Sequence, residues 1–138
     1  MGNIENMPDK PNLLPLAMIV CDSVIEDKMT NKKSLIGLFD NINSSKIPCV
    51  HPGLNVFVVL TEGNGEYECS LKCIHEDTNK SLVGLNARIH CKNPREKIEL
   101  NFELRGLRLP EYGNYRFEFY CNDNPIISRK FLLQEAKI

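Results

Sequence analysis

The stretch KIELNFELRGLRLPEYGNYRFEFYC, residues 97–121, decides the fold. Ile98, Leu100, Phe102 and Leu104 alternate with Lys97, Glu99, Asn101, Glu103 and Arg105, the period of two expected of a strand with one buried and one wet face. The same period puts Tyr115, Phe117, Phe119 and Cys121 on one side of the next run, against Arg116, Glu118 and Tyr120. Between the runs, Glu111-Tyr112-Gly113-Asn114-Tyr115-Arg116-Phe117 has the acid-x-Gly-x-Tyr-x-core order of a tyrosine corner. In that motif the tyrosine hydroxyl bonds back to the backbone and pins a crossing between two sheets. Gly113 supplies the unusual backbone geometry and Tyr115 the hydroxyl. Phe117 stands where an inter-sheet disulfide cysteine would otherwise be, so packing is expected to hold the sheets together.

The pattern extends outward in both directions. Tyr67, Cys69, Leu71 and Cys73 oppose Glu68, Ser70 and Lys72, and Leu85, Ala87, Ile89 and Cys91 oppose Asn86, Arg88 and His90. Three further runs, 16–21, 35–39 and 54–60, are apolar on both faces and read as central or doubly covered strands. With 126–133 the count is about eight strands. Turns are expected at Glu62-Gly63-Asn64-Gly65, Asp77-Thr78-Asn79, Asn93-Pro94 and Asn122-Asp123-Asn124-Pro125. No apolar stripe of helical period is present, which selects an all-β, two-sheet antiparallel sandwich. The expected organisation is a flexible N-terminal tail over 1–12 and one domain over 13–138.

Composition fits that reading. The chain has 138 residues, 42% of them hydrophobic, with 17 Lys+Arg against 18 Asp+Glu. A domain of this size buries a substantial core without obligatory disulfides or metals. A formal charge of -1 argues against a general nucleic-acid or membrane-surface binder, which carries a basic excess. The apolar stretch 13–21 is interrupted by Pro15 and falls far short of the ~20 residues a membrane span needs. MGNIENMPDKPN lacks the basic-then-apolar order of a secretion signal, and Asn6 breaks a myristoylation motif. The expected compartment is therefore a reducing cytoplasm.

Four segments occur in an order that resembles a bacterial family of small single-domain proteins known only as a domain of unknown function. They are Ala17-Met18-Ile19-Val20-Cys21-Asp22, Ser34-Leu35-Ile36-Gly37-Leu38-Phe39-Asp40, Val50-His51-Pro52 and LRGLRLPEYGNYRFEF at 104–119. The similarity spans about residues 16–134. It implies an Ig-like β-sandwich in a bacterial cytoplasm and supplies no substrate, cofactor or catalytic residue. The hydrophilic hairpin at 26–34 departs from the family pattern as a longer loop.

Candidate chemistry is sparse. Of the six cysteines, Cys69, Cys73, Cys91 and Cys121 lie on inward faces and are expected as reduced core residues. Two Cys-x-His pairs, Cys49/His51 and Cys73/His75, place a thiol and an imidazole on one strand face each and could together offer the four ligands of a zinc site. The spacing matches no known zinc signature. Asp22, Asp40, Glu76, Asp77 and Asp123 fall at strand ends, where calcium sites and ordinary solvated turns both occur. His90 and Cys91 are adjacent, so they point to opposite faces and cannot act as base and nucleophile. Gly63 and Gly65 lie in an acidic turn between β runs, read as a hairpin and not as a phosphate loop.

No metal or cofactor is therefore expected, and no catalysis. Arg105, Arg108, Tyr112, Arg116 and Tyr120 form the candidate partner-binding patch, since arginine and tyrosine are enriched in binding hot spots. The expected function is a protein-binding or scaffolding module acting through strand edges and end loops, including self-association. The alternatives are a small-ligand or metal-binding domain, with zinc or calcium, and a component of a larger assembly such as a defence system.

Overall fold

The computed structural model describes residues 11–137; residues 1–10 of the expected tail lie outside the described residues. Nine strands form in the order β1 (Leu14–Glu26), β2 (Lys33–Leu38), β3 (Asn41–Ser44), β4 (Cys49–Thr61), β5 (Gly65–His75), β6 (Lys80–Cys91), β7 (Ile98–Leu109), β8 (Gly113–Cys121) and β9 (Asn124–Glu135). They make a four-stranded sheet ordered β2-β1-β4-β7 and a five-stranded sheet ordered β3-β9-β8-β5-β6. The five-stranded sheet curls into half a barrel. No helix occurs among the described residues.

One core cluster draws on both sheets, with Met18, Val56, Val58 and Leu104 from the first and Leu71, Phe117, Phe119 and Leu133 from the second. The alternation in the sequence explains these positions. Tyr67, Cys69, Leu71 and Cys73 are buried on β5, and Tyr115, Phe117, Phe119 and Cys121 on β8. Three phenylalanine and tyrosine rings form the centre, Tyr115 and Phe117 both stacking on Phe131 at 5.3 and 5.0 Å between centroids.

The tyrosine corner forms as its sequence order requires. The Tyr115 hydroxyl donates to the Glu111 carbonyl and accepts the Glu111 N–H at 3.2 Å. Gly113 has φ +128, a conformation that L side chains rarely adopt. Replacing Tyr115 by phenylalanine keeps the ring and removes both bonds, so a destabilisation of about 1–3 kcal/mol is expected in urea titration. A loss below about 0.5 kcal/mol, the size of an ordinary surface change, would mean the corner holds nothing.

Three expectations are corrected. The strand count is nine, because Asn41–Ser44 forms β3 and pairs in parallel with β9; only Ile42 of its four residues turns inward, too little alternation to recognise. The run 35–39 is not doubly covered: β2 is an edge strand, with Ile36 45% and Leu38 65% exposed. The turn at 62–65 is a crossing between sheets and no hairpin, since β4 and β5 belong to different sheets. The alternation expected up to Arg105 holds, and beyond it β7 changes phase: Phe102 and Leu104 are buried, Gly106 is exposed, and Leu107 and Leu109 are buried again. Gly106 has φ +65, and the ladder to β4 is interrupted there, between His51↔Leu107 and Gly53↔Arg105.

Candidate functional site

The candidate residues Arg105, Arg108, Tyr112, Arg116 and Tyr120 occupy three places. Arg116 and Tyr120 stand on the outer face of β8, in the five-stranded sheet. Arg105 and Arg108 project from β7, the edge of the other sheet. Tyr112 lies in the turn before β8, and its hydroxyl donates to the Ser44 carbonyl at 3.0 Å. The structure thus pairs Arg116 with Tyr120 and Arg105 with Arg108 and does not bring the five together.

Around Arg116 the charges are internally satisfied. Its guanidinium bonds Glu118 at 2.6 Å and Asn79 at 3.0 Å and lies 3.6 Å from Glu76. Glu118 also accepts the Tyr120 hydroxyl. Burial pushes the Glu118 carboxyl up, but the Tyr120 and Arg116 hydrogen bonds outweigh it and hold the group below the usual carboxylate range. Lys72 sits over the Tyr120 ring at 4.7 Å, and Arg88 pairs with Glu68 on the neighbouring strands. The outer face of the five-stranded sheet is therefore a charge-laced surface of the kind that remains in water.

The other sheet is different. On β4, Leu54, Val56, Val58 and Leu60 enter the core cluster, so Asn55, Phe57 and Val59 must point outward. On β1, Met18 and Val20 enter the core, which turns Ala17, Ile19 and Cys21 outward beside them. The register joins these residues as Cys21↔Asn55, Ile19↔Phe57 and Ala17↔Val59, and sets Leu38 of β2 opposite Cys21. Phe57 and Cys21 are buried, at 6% and 0% exposed, yet neither belongs to the core cluster. They are covered by their own neighbours on the outer face. Around them Leu14, Leu16, Ile36 and Leu38 are 45–65% exposed. The β1–β2 hairpin lies over part of this face, since Lys33 of β2 reaches Glu99 of β7, at the opposite edge of the sheet, at 2.8 Å, and the apolar side chains left open are Leu14, Leu16, Ile36 and Leu38. Glu103 and Arg105, ion-paired at 2.7 Å, border it on β7.

The β1–β2 hairpin supplies this cover. Its tip is held by Asp27, whose carboxylate accepts the N–H groups of Met29 and Thr30 at 2.8 and 3.0 Å. Those bonds hold the Asp27 carboxyl below its ordinary range. The constrained tip presents Met29 at 91% exposure.

The metal candidates do not assemble. Cys49 and His51 belong to β4 and Cys73 and His75 to β5, in different sheets. Among the described residues no group of three or more His, Cys, Asp or Glu side chains is placed to hold a metal ion. His75 is instead a core histidine, 2% exposed, with its ring 4.7 Å from Tyr115 and Nδ1 3.0 Å from the Thr78 hydroxyl. Its Nε2 lies 3.9 Å from the Asp77 carboxylate, too far for a hydrogen bond. His51 packs beside Phe39 at 5.8 Å.

Two open clefts flank the gap between the sheets. One, about 390 Å³, is lined by Met18, Val20, Leu38, Phe39 and Arg129 among others, and Arg129 Nε donates to the Met18 carbonyl at 3.0 Å. The other, about 430 Å³, lies between the edge strands β6 and β7 and is lined by Leu82, Leu85, Leu104, Leu107, Arg105 and Arg108 among others. Neither contains His75, Asp77 or Thr78.

Residues 16–134 match a family described as "Family of unknown function (DUF6941)". Comparison with curated proteins finds no match. Among solved structures the chain is similar to the Pseudomonas fluorescens alkylpurine DNA glycosylase AlkC bound to DNA containing an abasic site analog, at 10% sequence identity and a TM-score of 0.47, covering 88% of this chain and 30% of that one. The chain spans under a third of the length of that glycosylase chain.

Proposed function

Because the chain belongs to the DUF6941 family of unknown function, its role has to be read from its own surface, and we propose that it is a non-catalytic protein-binding module of a bacterial cytoplasm. The observation that carries this reading is the set of exposed apolar side chains on the four-stranded sheet, Leu14 and Leu16 of β1 and Ile36 and Leu38 of β2, with Met29 at the hairpin tip. A soluble β-sheet with one face on the core normally turns a polar face to water, as the five-stranded sheet does here. Exposed contiguous apolar surface rimmed by charge marks an interaction site. Ile36 and Leu38, 45% and 65% exposed on the edge strand β2, belong to it, and Arg105 and Arg108 project from β7, where charge affects encounter and specificity more than affinity.

An Ig-like arrangement of the two sheets is part of the proposal. The parallel pairing of β3 with β9 and the tyrosine corner at the start of β8 support it. Six buried cysteines without a disulfide support a reducing compartment.

The test uses Ile36→Asp/Leu38→Asp, two positions already exposed on the edge strand. The double variant is expected to keep the wild-type thermal transition and to lose the partner that wild-type protein captures from its host, a cost of about 2–4 kcal/mol of binding. Arg116→Glu, on the opposite sheet, is expected to retain that partner. Equal recovery of the same partner by the Ile36/Leu38 variant and the wild type would remove the reading.

A further inference from the structure

Cys69 and Cys121 stand directly opposite each other on β5 and β8. In the adjacent pair, Asn122 donates its backbone N–H to the Glu68 carbonyl at 2.7 Å, and its side-chain oxygen accepts the Glu68 N–H at 3.0 Å. Antiparallel pairs alternate between hydrogen-bonded and non-hydrogen-bonded positions, so Cys69 and Cys121 fall at the latter. There the Cα atoms are about 4.5 Å apart and the side chains closest. That spacing lies within the ~4.4–6.8 Å Cα range of disulfides. The Cys121 thiol is in hydrogen-bonding contact with that of Cys69.

Access to the two sulfurs differs. Cys121 lines a small opening of about 50 Å³ with Pro11, Leu13, Tyr67 and Asn122 among others, and Cys69 does not. One water-sized molecule fits such a space.

We propose that Cys69 and Cys121 are a redox-modifiable dithiol that closes to a disulfide when a small hydroperoxide enters beside Cys121. The Cys121 sulfur attacks the peroxide, the O–O bond breaks, and an alcohol or water leaves with a proton, giving the Cys121 sulfenic acid. The Cys69 sulfur then displaces the sulfenic hydroxyl, which leaves as water with the Cys69 proton. The two sulfurs lose two electrons in total, and the peroxide bond takes them. Cys121 lines the opening and Cys69 does not, which places the first attack at Cys121 and the second at Cys69. A thiol reductant reverses the closure. Cytosolic disulfides of this kind are transient, so a reducing compartment is no obstacle.

Other cysteines provide the contrast. Cys73 is pushed up to about 12 by burial, but it faces Phe117 and Val83 across the ladders and has no opposed thiol. Cys91 lies near enough to Cys69 to affect its titration, yet it is opposite Gly65.

The full chain, native and reduced, is treated with equimolar hydrogen peroxide and mapped without reduction. The expected product has lost two hydrogen masses, yields one linked peptide pair containing Cys69 and Cys121, and returns to the starting mass with dithiothreitol. Cys73→Ser is expected to behave as the wild type, and Cys69→Ser to accumulate a dimedone-trapped sulfenic acid at Cys121. A dominant Cys69–Cys91 link, sulfinic acid without a link, or reaction only after unfolding would each overturn the proposal. The map of the wild-type chain decides this even where a variant fails to fold.

Discussion

Replacing Phe117 by alanine is expected to destabilise the protein by about 3–5 kcal/mol, the range for removing a buried aromatic side chain. Phe117 is 0% exposed, and its ring stacks on Phe131 at 5.0 Å. On β8 it lies between Cys73 of β5 and Arg129 of β9 in the ladders, so neighbouring backbone on both sides resists collapse into the vacated space. Set against a total stability of about 5–15 kcal/mol for a domain, the change removes about a fifth or more of what holds the fold. Urea unfolding should show a lower midpoint at an unchanged slope, since the surface exposed on unfolding stays the same. A loss under about 2 kcal/mol would place this ring outside the energetic centre of the core.

The second large effect comes from adding atoms. A Cβ at Gly63 would lie 2.5 Å from Leu13 Cδ2, 2.7 Å from Cys91 Sγ and 3.2 Å from Tyr67 Cε1. Those three neighbours are 1–3% exposed. Tyr67 is further fixed, donating its hydroxyl to the Pro11 carbonyl at 2.6 Å and accepting the Asn64 N–H at 3.0 Å. Gly63→Ala should therefore cost about 1–3 kcal/mol by overpacking. Cys91→Ala removes one of the obstructing atoms, so the double variant should be less destabilised than the sum of the two single ones. A coupling of about 0.5 kcal/mol or more in that direction is the expected reading of the cycle. Additive losses would place the strain at Leu13 or Tyr67 instead.

The same crossing shows where the sequence was legible and where it was not. Turn residues at 62–65 correctly announce a break between two strands, but nothing local distinguishes a hairpin from a passage to the opposite sheet. Strands β5, β6, β7 and β8 were readable because each alternates over several residues with one face in the core. β3 was not, because its four residues owe their conformation to a parallel partner some ninety positions away, Asn41 pairing with Leu132.

The candidate site was half legible. Apolar residues on both faces of 16–21, 35–39 and 54–60 signal a second buried surface, and Phe57 and Cys21 are indeed covered from within the chain, whereas Ile36 and Leu38 stay open. Periodicity reports that a face is apolar and cannot say what lies against it. The arginine and tyrosine residues showed the reverse limit. Their types suited a contact patch, but Arg116 is satisfied by Glu118 of its own strand and by Glu76 and Asn79 of the turn between β5 and β6, which meet it only in the folded sheet.

The position of β9 has a consequence for how the protein is made. The last strand lies between β3 and β8, inside the five-stranded sheet, and its Phe131 and Leu133 fill the core. A nascent chain that has produced β1 to β8 holds a sheet with an open seam, and β3 has no neighbour until the final strand arrives. Unpaired edges and uncovered aromatic rings are the features that make partly made β proteins associate wrongly. Completion of this domain is thus tied to the emergence of β9, and vectorial synthesis gives its first eight strands no finished core to settle on.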